Sequence, residues 1–150
     1  MEVYREHYRR EPTGLWPAER AMDQEIVKLV ADAGYRWMAS GEQVLARSLG
    51  LDSFTRDNRE LIEQPDDLYR PYYVRFRDGP EVGMLFRDLR LSDLIGFVYS
   101  GTPGEEAAQD FIDRLEAIRF HLQGWRGGSK GGKTGSGPNL VTVILDGENA

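Results

Sequence analysis

Acidic side chains stand directly downstream of three of the four short apolar runs in this sequence. Gly14-Leu15-Trp16-Pro17 leads to Glu19. Val82 to Phe86 leads to Arg87 and Asp88, with Asp93 a few residues on, and Leu140 to Leu145 leads to Asp146, Glu148 and Asn149. The chain has no cysteine and two histidines, His7 and His121. Cysteine nucleophiles, thiolate metal sites and disulfide scaffolds are therefore excluded, and a histidine-rich metal centre is not expected. Carboxylates remain as the main groups able to do nucleophilic and acid–base work. Two carboxylates flanking a bond, with aromatic rings to stack on sugars, are what glycosidic cleavage requires. A blander assignment competes for each acid taken singly: it caps the next helix or pairs with an arginine.

The elements that must position these acids follow from hydrophobic periodicity. The 150 residues suit one ordinary domain, 40% hydrophobic and 29% charged, with a formal charge of −6 that argues against a nucleic-acid or anionic-membrane partner. No apolar run approaches the ~20 residues needed to span a bilayer. Met1 to Arg10 reads as an exposed helix. Asp23 caps a second helix, with Ile26, Val27, Val30 and Ala33 facing the core and Gly34 as its stop. Tyr35 to Ala39 reads as a strand, and Gly41 to Ser48 as a short helix ended by Gly50. Residues 51–72 carry Pro65 and Pro71 and read as an irregular excursion. Val82 to Phe86 is expected to be a buried strand, Ser92 to begin a helical turn, and Pro103-Gly104 to start a longer helix. That last helix carries a stripe of Ala108, Phe111, Ile112, Leu115 and Ile118. Gly124 to Gly137, with seven glycines in fourteen residues, reads as a flexible surface loop before the last strand. Short apolar strands alternating with helices predict an α/β fold with a parallel sheet, in which loops at the strands' C-terminal ends build the site.

Three segments carry a family resemblance. Gly14-Leu15-Trp16-Pro17-Ala18-Glu19 resembles the motif around the catalytic nucleophile of glycoside hydrolase family 57. Leu91 to Ser100 (LSDLIGFVYS), preceded by Phe86-Arg87-Asp88, is similar to a segment of its amylase and amylopullulanase-like members. Ile144 to Ala150 (ILDGENA) resembles the motif around the general acid/base. The three occur in family order. The resemblance implies a fragment of a (β/α)7 incomplete TIM-like barrel, with about four parallel strands, acting with retention on α-1,4- or α-1,6-linked glucans. Amylases, amylopullulanases, branching enzymes and 4-α-glucanotransferases all fall in this family. By position it makes Glu19 the nucleophile and Asp146 the general acid/base, and it implies no cofactor and no metal. A retaining pair sits about 5–5.5 Å apart, which strand ends on one barrel face can provide. Asp146 must begin protonated, and an ionised Glu19 beside it favours that state. The family's His-Gln-Pro segment and its last motif are absent. Arg20, Ala21 and Met22 replace the small residues common after the nucleophile, and Leu89 stands where many relatives have His.

Around the acid pair, Trp16 could stack on a sugar or pack in the wall. Arg87, Asp88 and Asp93 could line sugar subsites or hold each other in an ion-pair network, and Glu148 could orient Asp146. Trp37 is expected in the core. The expected native context is a larger amylolytic gene product, with parts of the parent chain before and after these residues, in which the fragment alone is weakly active or inactive. A non-catalytic glucan-binding relative is the alternative. A polysaccharide deacetylase would need a metal held by Asp and a paired His motif, which is missing. Gly127, Gly132, Lys133 and Thr134 satisfy G-x-x-x-x-G-K-[ST], but a phosphate cradle needs a strand before it and a helix after it. Here a helix precedes, and Gly135-Ser136-Gly137-Pro138 follows. Titration with ATP and Mg2+ is accordingly expected to show no saturable binding; saturation at micromolar nucleotide would reverse this reading.

Overall fold

The computed structural model describes residues 2–17, 22–77, 79–128 and 138–145. The glycine-rich pattern from Ser129 onward, Glu19, Asp146 and Glu148 lie outside the described residues.

Helix α1 (Glu2–Tyr8) is exposed along its length. Strand β1 (Gly14–Leu15) is followed by α2 (Gln24–Asp32), whose N-terminus is capped by the Asp23 carboxylate accepting from the Ile26 amide at 2.8 Å. Gly34, at φ +89°, takes the left-handed conformation that ends this helix. Val27, Val30 and Ala31 are its buried residues, so Ala31 and not Ala33 completes the inward stripe. Strand β2 (Trp37–Gly41) begins two residues later than the apolar run suggests and passes directly into α3 (Glu42–Ser48). After a short α4 (Pro65–Leu68) come β3 (Tyr72–Arg75) and β4 (Glu81–Arg87). Helix α5 (Leu89–Asp93) continues through a π-helical turn (Leu94–Val98) and a 3-10 turn (Tyr99–Gly101) to the long α6 (Gly104–Gly128).

The sheet has the order β1-β2-β4-β3. β1, β2 and β4 are parallel, in a register that sets Leu15 against Met38 and Gly41 against Arg87. β3 runs antiparallel to β4, with Tyr72 opposite Met84 and Arg75 opposite Glu81. Two expectations are corrected here. The sheet has three parallel strands plus an antiparallel one, β3, that follows the irregular excursion. Residues 140–145 are irregular and form no ladder with the sheet among the described residues. They are docked instead by single hydrogen bonds, from the Leu140 amide to the Tyr69 carbonyl and from the Asp88 amide to the Thr142 carbonyl, both 2.9 Å. The expected loop at 124–137 is also shortened, because helix α6 runs on to Gly128.

The core joins Val27 and Val30 of α2, Met38 of β2, Val82, Met84 and Phe86 of β4, and Ile118 and Leu122 of α6. The excursion after α3 contributes as heavily, through Phe54, Leu61, Ile62, Leu68 and Tyr69. It is irregular in backbone but not peripheral. Trp37, expected inside, is 41% exposed. Its ring lies over Gly14 of the short neighbouring strand, so closely that a Cβ there would fall 2.0 Å from the indole. Along α6, Ala108 and Ile112 face solvent, because the packed stripe is displaced toward Phe111, Leu115, Ile118 and Leu122.

Helix α6 is pinned near its start by polar contacts. The Tyr99 hydroxyl donates to Asp110 Oδ2 at 2.5 Å, and Arg114 Nε donates to the same oxygen at 2.8 Å. Arg114 also reaches the Arg59 carbonyl at 3.1 Å. Burial, then Asp110, pushes the Tyr99 phenol up to about 12, while Arg114 and Tyr99 hold the Asp110 carboxyl below its ordinary 3.8. A lowered carboxyl stabilises the fold above its unfolded-state value, and that contribution disappears as pH falls through the folded one. Asp110→Asn should therefore lower stability by up to about 1 kcal/mol near neutral pH. In urea melts across pH the difference from wild type should shrink below pH 4; a difference independent of pH would reject this assignment.

Candidate active site

Parallel strands bring their C-terminal ends to one edge of a sheet. At this edge Trp16 and Pro17 follow β1, Glu42 follows β2, and Arg87 and Asp88 close β4. Residues 140–145 pass alongside through the Asp88–Thr142 hydrogen bond.

Beneath the edge lies a buried charged network. Arg56 Nη2 donates to both Glu42 oxygens, at 2.8 and 2.6 Å, and to Asp88 Oδ1 at 3.1 Å. Its Nη1 donates to the Glu60 carbonyl at 2.8 Å. The Asp88 carboxylate accepts in addition from the Tyr69 hydroxyl at 2.6 Å and the Leu91 amide at 3.0 Å, while Glu42 accepts from the Leu89 amide at 2.8 Å. Asp88 and Glu42 thus cap the start of α5 together. Burial lowers the Arg56 pKa, but Asp88 and Glu42 outweigh it and hold the guanidinium above its ordinary value. Burial, reinforced by Asp88, pushes the Tyr69 phenol far up, so it remains a donor at any ordinary pH.

Asp88, a candidate for sugar contact, is therefore reassigned. Its side chain is 1% exposed, and both its oxygens are engaged by internal donors. It pairs with Arg56, not with Arg87. The other candidates gather one layer above. Arg87 lies with its guanidinium carbon 5.6 Å from the centre of the Trp16 ring, and its Nη1 donates to the Ile144 carbonyl at 2.9 Å. Arg87, Ser92, Asp93, Phe97, Ile144 and Leu145 line a crevice of about 20 Å3. Arg87 thus meets Trp16 on one side and, on the other, shares a crevice with Asp93 and the residue two positions before Asp146. Glu19, Asp146 and Glu148 themselves lie outside the described residues. Among the described residues, no group of three His, Asp or Glu is placed to hold a metal ion.

Glu42, Arg56 and Tyr69 were not legible as site residues. Glu42 follows a strand just as the recognised acids do, but reads as an ordinary helix-starting acid. Arg56 and Tyr69 sit in the aperiodic excursion, where nothing in the local pattern announces a partner.

A mostly parallel α/β sheet with polar side chains collected at its strand ends defines a domain of the kind that builds sites from the loops after its strands. The family model of glycosyl hydrolase family 57 matches residues 1–150, and the chain belongs to that family. Among solved structures it is similar to the crystal structure of 4-alpha-glucanotransferase from Thermococcus litoralis, at 18% identity and a TM-score of 0.57. The match covers 99% of this chain and 18% of that one, so this chain spans under a fifth of that protein's length. No curated protein sequence matches.

Removing one member of a buried ion network leaves its partners desolvated and unpaired, at a cost of about 3 kcal/mol or more. Arg56→Met should lower unfolding free energy by that amount in urea titrations, and Tyr69→Phe by about 1–3 kcal/mol. A loss below about 0.5 kcal/mol for Arg56→Met would show that this network does not hold the strand ends.

Proposed function

We propose that this chain is the part of a retaining glycoside hydrolase that carries both catalytic carboxylates, acting on α-1,4- or α-1,6-linked glucans in the manner of amylases and amylopullulanases. In this reading the three parallel strands belong to an incomplete (β/α)7 barrel completed by other parts of the parent chain. Glu19 attacks the anomeric carbon to form a glycosyl-enzyme. Asp146 protonates the departing glycosidic oxygen and then deprotonates the water or acceptor sugar that releases the product. Trp16 and Asp93 border the sugar site.

One observation carries the reading. Arg87 touches both Trp16, three positions before Glu19, and Ile144, two positions before Asp146, so the two segments of the proposed acid pair converge on one side chain. Family membership over residues 1–150 supports the same chemistry.

The test uses the full gene product that contains this chain, assayed on maltooligosaccharides with the product anomer read by NMR. Glu19→Gln and Asp146→Asn are each expected to reduce kcat by about 1,000-fold or more, and the wild-type product should first appear as the α anomer. Azide added to Asp146→Ala should yield an α-glycosyl azide, because it intercepts the glycosyl-enzyme from the face the acid/base serves. Undiminished turnover by Glu19→Gln would remove the nucleophile assignment. Saturable glucan binding with no turnover by the wild-type protein would favour a glucan-binding relative instead.

A further inference from the structure

The proposed acids lie on segments more than a hundred residues apart, yet Arg87 touches a residue of each and Ser92 touches the second. Arg87 is 6% exposed at the end of β4, with its guanidinium against the Trp16 ring and its Nη1 on the Ile144 carbonyl. The other main-chain polar group of Ile144, its amide, donates to Ser92 Oγ at 3.3 Å. That hydroxyl in turn donates to the Asp88 carbonyl at 2.7 Å, and Ser92 is 2% exposed. Both polar groups of the Ile144 main chain are thus held by side chains, where a strand ladder would otherwise hold them.

We propose that Arg87 and Ser92 are positioning residues for the acid-pair chemistry, Arg87 by bridging the Trp16 ring to the Ile144 carbonyl and Ser92 by fixing the Ile144 amide. The proposal rests on the acid-pair reading above and assigns neither residue a contact with substrate. A planar guanidinium can lay its face on an indole while its edge donates to a carbonyl; a lysine can do either, but not both in the same geometry. Ser92 holds the Asp146 segment alone, so the two residues separate in their effects. Losing Arg87 disturbs both acids, and losing Ser92 disturbs the acid/base. Catalysis is steep in the placement of reacting groups, since a misplacement of about 1 Å can cost about 100-fold.

The experiment compares Arg87→Met, Arg87→Lys and Ser92→Ala in the full gene product, on maltoheptaose and on α-maltosyl fluoride, whose leaving group departs without a proton. Arg87→Met is expected to lower kcat on maltoheptaose by about 100-fold with KM within about threefold, and Arg87→Lys to recover part of that loss through its remaining donor. Ser92→Ala should lower kcat/KM on maltoheptaose by about tenfold, lower it less on the fluoride, and shift the alkaline limb of the pH–rate profile, where the general acid loses its proton. A rise in KM with unchanged kcat in Arg87→Met would make Arg87 a substrate contact and overturn the proposal. Rates within twofold of wild type for Arg87→Lys and Ser92→Ala would overturn it even if Arg87→Met failed to fold. If Glu19→Gln is inactive while these variants are normal, the clamp fails and the acid-pair reading stands. If Glu19→Gln retains turnover, both fail.

Discussion

The strand ends depend on one guanidinium, that of Arg56, held between two carboxylates that follow different strands. Glu42 leaves β2 and Asp88 leaves β4, and without a cation between them two acids would be buried at neighbouring strand ends. Removing such charges from water is costly, and the cost is offset because every one of them also has fixed donors or acceptors. The amides of Leu89 and Leu91, the Tyr69 hydroxyl and the Glu60 carbonyl complete the set. The same contacts fix the start of α5, and they draw the excursion after α3 beneath the sheet edge. Tyr69 extends the network further, because its hydroxyl binds Asp88 while its carbonyl receives Leu140. The docking of residues 140–145 beside the strand ends thus traces back to this charge cluster.

Adjacent residues divide the labour. Arg87 and Asp88 are neighbours in sequence, yet Arg87 serves Trp16 and Ile144 while Asp88 serves Arg56 and Tyr69. The peptide amide of Asp88 joins the two layers by binding Thr142. A stretch as short as Phe86 to Ser92 therefore contributes a core residue, a rim cation, a buried acid and a hydroxyl clamp.

Local signals were legible where local physics is sufficient. The Asp23 cap, the Gly34 stop and the strand in β4 were all readable, because capping, left-handed glycine and apolar runs are decided within a few residues. Membership of the hydrolase family was legible from three short motifs. The antiparallel β3 was not, since Tyr72 to Arg75 is half exposed and its pairing is set by β4. Trp37 was misplaced because its size predicts burial, while its position opposite Gly14 gives it a surface groove to cover. Asp88 was grouped with the sugar-facing candidates because strand-end position does not reveal which layer a carboxylate joins. That was decided by Arg56, 32 residues away in sequence.

The reversed direction of β3 sorts the molecule's turns by side. Arg75 and Glu81 face each other across the ladder and form an ion pair, so the link between them opens at the start of β4, not at its end. Six residues of β4 separate that link from Arg87, roughly 20 Å along the strand. A fluorophore or affinity tag carried between β3 and β4 would sit on the far rim of the sheet. A bulky polysaccharide approaching the strand ends would not meet it there.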